Sequence, residues 1–121
     1  MLNPLILMRI PSVTNFDIFF KRDLDVFFKK DDANITVEYT MLRDGPTQSG
    51  VAYPKYYVWI KVLSEGKLKN EGAARVAAID KDKFEITDFL SQAEIKAAPE
   101  NIRRVFPAAL ISKIESQAGL N

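Results

Sequence analysis

The side chains best suited to bind a partner lie in one polar stretch near the middle of the chain. Residues 43–50 read RDGPTQSG and carry no large apolar side chain, and the aromatic sequence YPKYY follows at 53–57. Exposed amides and hydroxyls beside an aromatic surface can hydrogen-bond and pack against a partner. The alternative is a solvated turn that leads into a strand whose aromatic side chains are packed. The candidate binding residues in and after this loop are Asp44, Thr47, Gln48, Ser49, Tyr53, Tyr57 and Trp59.

A second candidate is Arg75, which lies among alanines. In a strand, alternation places it on the same face as Ala73 and Ala77, so these small neighbours leave space around its guanidinium. Such a space suits the carboxylate of an acidic ligand. The alternatives are a buried ion pair with Glu38 or Glu85, or a solvated arginine.

Carboxylates on strands are the third candidate. The chain has no histidine and no cysteine, which removes the commonest general base near neutral pH, every thiolate nucleophile, and the usual ligands of a transition metal. Glu38, Glu85 or Asp88 could abstract a proton if apolar walls raised its pKa, but strand acids at alternate positions ordinarily face water. We expect no metal and no cofactor, and a non-enzymatic role is favoured over an enzymatic one.

Composition indicates one domain and removes several kinds of partner. The 121 residues are 47% hydrophobic and include eight Phe, four Tyr and one Trp, which is enough apolar surface for a single core over residues 1–121. Seventeen basic and sixteen acidic residues leave a net charge of +1, which gives no long-range attraction to phosphate backbones or anionic lipid. We therefore expect neither a nucleic-acid partner nor a membrane.

The apolar start of the sequence does not fit a targeting segment. Arg9 and Pro11 interrupt it well short of the roughly 20 apolar residues that span a bilayer, and it lacks a basic n-region and a small-residue cleavage site. The expectation is a soluble chain, with the cytoplasm favoured and the compartment otherwise open. A leader removed earlier is the alternative.

Hydrophobic periodicity predicts the elements that position the candidate residues. From Thr14 or Asn15, apolar residues recur at spacings of three and four, which predicts an amphipathic helix with five phenylalanines. After a polar break at 31–34 the period changes to two, as in strands. Short turns between the last three strands imply an antiparallel meander. The predicted strands are 35–41, 55–63, 73–79 and 84–89.

Residues 91–121 are predicted to form a helical tail. Ser91 and Glu94 match a capping box, and Pro99 and Pro107 divide the rest of this segment into short helices. The predicted fold is therefore α+β: a long N-terminal amphipathic helix packed on a curved four-stranded antiparallel meander, with short C-terminal helices. Its parts are an N-terminal segment at 1–14, the helix and sheet at 15–90, and the tail.

Small residues on the third strand are expected to receive the helix. Large side chains reach the density of a protein interior only where they meet small ones. Ala73, Ala74, Ala77 and Ala78 supply such a surface. We therefore expect the helix to lie across the middle of the sheet, over this strand.

The order of one helix, four meandering strands and a helical tail resembles the cystatin-like superfold and its nuclear-transport-factor-2-like relatives, across about residues 15–90. This resemblance implies a sheet curled around the helix. In cystatin inhibitors, the loop between the first two strands after the helix carries a Gln-x-Val-x-Gly sequence that enters a protease cleft. The equivalent stretch here is QSGVA at 48–52, which has a different spacing.

These features predict a non-enzymatic binding or protein-interaction module of cystatin-like or nuclear-transport-factor-2-like type. An open sheet face with Tyr57, Val58 and Trp59 would be costly to leave in water, so a homodimer that pairs sheets is expected. A protein partner or a small apolar or acidic ligand is the other expected occupant. One alternative is a small-molecule pocket between helix and sheet with carboxylate-based isomerase or hydrolase activity. The other is a protease or toxin inhibitor acting through loop 43–50.

Overall fold

A long helix is followed by four strands in the described part of the chain. The computed structural model describes residues 13–29, 34–48, 50–80 and 83–120, so most of the N-terminal segment lies outside them. These elements are α1 (Val13–Phe28), β1 (Ile35–Met41), β2 (Lys55–Ser64), β3 (Lys67–Asp80) and β4 (Lys83–Ser91). The strands form one sheet in the order β1-β2-β3-β4, with every neighbouring pair antiparallel. The predicted α+β fold is confirmed.

Short helical segments complete the chain after the sheet. The predicted capping box is present at their start: Ser91 Oγ accepts a hydrogen bond from the backbone N–H of Glu94, and the Glu94 carboxylate accepts one from the N–H of Ser91. Within the described ranges, no helix is both long and apolar enough to cross a membrane. The segments are α2 (Gln92–Ala97), a 3₁₀ turn (Pro99–Asn101), α3 (Ile102–Val105), a second 3₁₀ turn (Ala108–Leu110) and α4 (Ile111–Gln117).

Aromatic side chains fill the space between α1 and the sheet. Phe20 and Leu24 on the inner face of α1 have no exposed surface. The Phe20 ring centroid lies 4.8 Å from that of Tyr39 on β1 and 4.9 Å from that of Phe84 on β4. These are ordinary distances for packed aromatic pairs. One helix thus packs against both edge strands of the sheet.

Two hydrogen bonds fix α1 at the edges of the sheet. The Tyr39 hydroxyl donates to Asp17 Oδ1 at 2.5 Å, and the backbone N–H of Phe84 donates to Asp23 Oδ2 at 2.7 Å. Bonds to an ionised acceptor are stronger than neutral ones. Since one bond reaches β1 and the other β4, they orient α1 across all four strands.

The alanines of β3 divide between the two faces of the sheet. Ala74 and Ala78 pack in the core beneath α1, whereas Ala73 packs in a second core on the opposite face, where alternation also places Ala77. The prediction that all four lie beneath the helix is therefore wrong. Side chains of a strand alternate between its faces, so only every second alanine can meet the phenylalanines.

The tail after β4 covers the face of the sheet that α1 leaves open. Tyr57 and Trp59 are 5% and 2% exposed and belong to this second core, while Val58 is wholly buried in the core beneath α1. The prediction that these three residues present an open sheet face is wrong, because both faces are occupied within one chain. The tail residues of the second core are Ile95, Ile102, Phe106, Leu110, Ile111, Ile114 and Ala118.

Gly72 is required where β3 meets β4. A Cβ atom at this position would lie 2.2 Å from the carbonyl oxygen of Leu90 and 2.7 Å from Cα of Ser91, both backbone atoms that cannot rotate away. We expect Gly72→Ala to lower the free energy of unfolding by about 1–3 kcal/mol, as overpacking does. Chemical denaturation followed by circular dichroism measures this loss.

Gly45→Ala is the matched control for that substitution. Gly45 has a φ of +81°, and a Cβ atom added there would meet no other atom within 4 Å, so alanine introduces backbone strain without a clash. A loss below about 0.5 kcal/mol for Gly72→Ala, as for an ordinary surface substitution, would show that the close approach of β3 to β4 does not constrain this position.

Candidate functional site

A cationic depression lies where the loop before β2 meets the strands β2 and β3. It has a volume of about 200 Å³ and combines two positive charges with hydroxyl groups. We call it the Lys55–Arg75 depression. Its lining residues are Thr47, Gln48, Ala52, Tyr53, Lys55, Tyr57 and Arg75.

The register of β2 and β3 brings the two cations together. Tyr57 pairs directly with Arg75, and Lys55 pairs with Ala77. Residues two apart on a strand share a face, so Lys55 and Tyr57 point to the same side of the sheet as Arg75. Lys55 and Arg75 are therefore diagonal neighbours across the strand pair, within reach for two long side chains.

Arg75 is held in place by β4 from one side. Its Nε donates to Thr87 Oγ1 at 3.0 Å, and the Thr87 hydroxyl in turn donates to the Arg75 carbonyl at 3.1 Å. Its Nη2 lies 2.6 Å from Asp88 Oδ2, although no N–H bond is aimed at that oxygen, so this contact is an ion pair without a directed hydrogen bond. A register shift after Arg75 allows both Thr87 and Asp88 to reach it.

One nitrogen of this guanidinium is available to bind a ligand. Nε and Nη2 of Arg75 are engaged as described, and Nη1 has no hydrogen-bond partner among the residues that the structure describes. The side chain is 31% exposed, so it is reachable from solvent. A fixed guanidinium with free N–H groups can bind an oxyanion with little loss of side-chain entropy.

Lys55 is a second donor beside Arg75. Its Nζ donates to the carbonyl oxygen of Tyr53 at 2.9 Å, which leaves two of its three hydrogens for other acceptors. Partial burial lowers the pKa of Lys55, and the charge of Arg75 lowers it further. The protonated amine is thus less stable here than in water, and an anion in the depression would relieve that cost.

Thr47 and Tyr57 contribute a hydroxyl pair at the floor of the depression. Their oxygens are 3.0 Å apart, so one hydroxyl donates to the other and the second hydrogen remains for a ligand. Two backbone bonds of 2.9 Å between Thr47 and Lys55 attach the loop to β2. The Tyr57 ring packs against Phe106 of the tail, with centroids 5.9 Å apart. The hydroxyl pair is therefore anchored on both sides.

The loop that leads into this site carries exposed apolar side chains. Val51 is 88% exposed and Tyr53 is 40% exposed, both in the loop that precedes β2. Pro54, next in sequence, is fully buried, and its carbonyl accepts a hydrogen bond from the N–H of Ala78. The loop is thus fixed to β3 while it presents two apolar groups to solvent.

The structure brings together most, but not all, of the predicted binding residues. Thr47, Gln48, Tyr53, Tyr57 and Arg75 all line the depression. Asp44 is exposed and is not among the lining residues, Trp59 is buried beneath the tail, and Ser49 lies outside the described residues.

Lys55 lines the depression but is not among the binding residues predicted from the sequence. It is two positions before Tyr57 at the start of a predicted strand, so alternation already places both on one face. The sequence does not give the register that sets β2 against β3, and only this register brings Lys55 next to Arg75. A lysine next to the apolar run from Tyr56 to Ile60 was the available signal.

The carboxylate that pairs with Arg75 is neither of the two that the sequence predicted. Asp88 pairs with Arg75, whereas Glu38 lies on β1 opposite Lys61 and Glu85 lies opposite Ala77. The prediction of a pair with Glu38 or Glu85 is wrong, because the register shift in β4 moves Asp88 alongside Arg75. Within the described ranges, no three carboxylates converge as metal ligands would.

Comparison of the chain with protein-family models, curated proteins and solved structures finds no match. The cystatin-like resemblance therefore stays a prediction based on the order of elements. Function has to be argued from the Lys55–Arg75 depression itself.

Proposed function

We propose that this chain is a non-enzymatic binding module that holds an acidic group of its partner in the Lys55–Arg75 depression. The observation that carries the proposal is the free Nη1 of Arg75 beside Lys55, with the guanidinium held by Thr87 and Asp88. Charged donors that are fixed before binding give both affinity and orientation.

The charges of the site support an anion. Lys55 and Arg75 are neighbours of like charge, and Asp88 balances only one of them. A bound anion would neutralise the remaining positive charge, and its oxygens would accept hydrogen bonds from both cations and from a hydroxyl. A neutral ligand would leave Lys55 and Arg75 in mutual repulsion.

Neither of the other predicted functions has a comparable feature to support it. The middle of the space between α1 and the sheet is filled by rings such as those of Phe20 and Phe84. Among the described residues, polar groups meet only at its edge, as in the open groove of about 380 Å³ between α1 and β1, where the Tyr39 hydroxyl already donates to Asp17. The start of loop 43–50 folds back on itself, since Arg43 Nη1 donates to the carbonyls of Gly45 and Pro46. The homodimer stays a prediction, without the open sheet face on which it rested.

Removing either cation is expected to abolish binding of a minimal anion. We expect sodium acetate, titrated at constant ionic strength against chloride, to shift the backbone NMR signals of residues 47, 48, 53, 55, 57 and 75 in the native chain. In Lys55→Met and in Arg75→Gln these shifts should fall by about ten-fold or more, because each variant loses a charged hydrogen-bond donor that contributes roughly 1.5–3 kcal/mol.

The matched control is Lys61→Met, which removes the same charge from an exposed position of the same strand, opposite Glu38 and Glu71. It should respond to acetate as the native chain does. Circular dichroism melts of all variants establish that they fold. Acetate shifts that persist in both Lys55→Met and Arg75→Gln would contradict the proposed function.

A further inference from the structure

The Lys55–Arg75 depression is too small to enclose a whole ligand. Its volume of about 200 Å³ lies below the roughly 300–1,000 Å³ of pockets that bury a small molecule. It is large enough for one acidic group of a few atoms. The remainder of the ligand must then lie outside it, beside Tyr53, which lines the depression, and Val51, which is exposed two positions earlier in the same loop. The ligand therefore joins an acidic group to an apolar one.

The charge of the site selects the kind of acid. Lys55 and Arg75 contribute two positive charges and Asp88 one negative charge, which leaves +1 at the site. A carboxylate carries one negative charge and matches this balance, whereas a phosphate monoester carries about 1.5–2 and exceeds it.

The donors of the site also match the two oxygens of a carboxylate. Arg75 lies on β3 and Lys55 on β2, and both side chains line the depression, so a hydrogen bond from each can serve one oxygen. The remaining hydroxyl hydrogen of the Thr47 and Tyr57 pair supplies a third bond. An ionised carboxylate offers about four acceptor positions on its two oxygens and can accept all three.

We infer that the Lys55–Arg75 depression recognises a carboxylate that a protein segment presents next to an apolar residue, the apolar side chain packing on Val51 and Tyr53. This inference rests on the proposed function and adds the chemical class of the ligand to it. The carboxylate can come from the end of a chain or from an acidic side chain, since the chemistry is the same.

Four labelled peptides of equal length test whether the ligand is a carboxylate, and whether that carboxylate belongs to a chain end or to a side chain. The first is a glycine and serine sequence that ends in leucine with a free carboxyl terminus, and the second is the same peptide with an amidated terminus. The third is amidated and carries glutamate beside the leucine, and the fourth carries phosphoserine in place of that glutamate. Fluorescence anisotropy gives their dissociation constants for the full chain.

We expect the first peptide, the third peptide or both to bind at least about ten-fold more tightly than the second peptide, which is amidated. A ten-fold difference is about the loss expected when one charged hydrogen bond is removed. Tight binding of the first alone assigns the site to chain ends, and tight binding of the third alone assigns it to side chains. Arg75→Gln should remove the difference, and Val51→Ser should weaken each carboxylate peptide that binds without changing the response to acetate.

Two results overturn the inference and separate it from the proposed function. If the phosphoserine peptide binds most tightly, the site takes an anion but the carboxylate class is wrong. If acetate shifts the residues of the depression but no carboxylate peptide binds better than the amidated one, the peptide partner is wrong and the anion site remains. If neither acetate nor any peptide produces a response, both proposals fail.

Discussion

Replacing Phe20 with alanine is expected to lower the free energy of unfolding by about 3–5 kcal/mol, the usual cost of removing a buried phenylalanine. Phe20 has no exposed surface, and its ring centroid lies 4.8 Å from that of Tyr39 and 4.9 Å from that of Phe84. Alanine would leave a void that these rings, on opposite edge strands, cannot fill together. A domain of this size has about 5–15 kcal/mol of stability in total, so a large fraction would be lost.

Val26→Ala is the control for this measurement. Val26 lies on the same helix but is 63% exposed, so its replacement should change the free energy of unfolding by no more than about 0.5 kcal/mol. Urea denaturation followed by circular dichroism gives both values. A loss below about 1 kcal/mol for Phe20→Ala, far under the usual cost of such a cavity, would show that the Phe20 ring does not sit at the centre of the core beneath α1.

Trp59→Ala is expected to have an effect of similar size on the other face of the sheet. Trp59 is 2% exposed, packs with the tail, and donates from Nε1 to Glu71 Oε1 at 2.9 Å. Loss of the indole removes the largest side chain of the second core, at a cost of about 3–5 kcal/mol. Unfolding of this variant has to be followed by circular dichroism and not by tryptophan fluorescence, because Trp59 is the only tryptophan in the chain.

Trp59→Phe separates packing from hydrogen bonding at this position. Phenylalanine keeps an aromatic ring beneath the tail but cannot donate to Glu71, so the loss should be clearly smaller than for alanine. If Trp59→Ala instead lowers the free energy of unfolding by less than about 1 kcal/mol, the tail does not cover this face, since removal of a buried tryptophan costs more than that. The sheet would then be open, as the sequence alone predicts.

Local patterns predicted the elements of the fold well, because each depends on neighbours in sequence. The spacing of the phenylalanines predicted α1, and alternation predicted β1 with its observed bounds. The turn at 64–67 contains Glu65 and Gly66 at positive φ, as a tight hairpin requires. The capping box at Ser91 depends on residues only three positions apart.

Contacts between distant residues could not be predicted in the same way. The apolar residues of the tail, such as Ile102 and Ile114, indicated short helices, but no local pattern showed that these pack on Tyr57 and Trp59. The open sheet face was therefore predicted where the structure has a second core. A strand that is apolar at consecutive positions, as β2 is from Tyr56 to Ile60, indicates burial on both faces and was the signal against it.

The candidate site was predictable in composition but not in arrangement. The polar loop and Arg75 were identified separately, the first from its turn-forming residues and the second from its small neighbours. The pairing of Tyr57 with Arg75 joins them, and a register shift in β4 supplies Asp88. Register depends on the packing of whole strands, so neither the position of Lys55 nor the ion pair follows from local sequence.

The ionisation of Lys55 tests the central claim most directly, since an anion that binds the protonated amine must raise its pKa. NMR titration of the side-chain carbon next to Nζ gives this pKa in chloride and in saturating acetate at equal ionic strength. In chloride we expect a pKa below that of an ordinary lysine, because of partial burial and the charge of Arg75. In acetate it should move upward in the native chain but not in Arg75→Gln. A Lys55 pKa that is identical in the two salts would contradict the binding of an anion at this site.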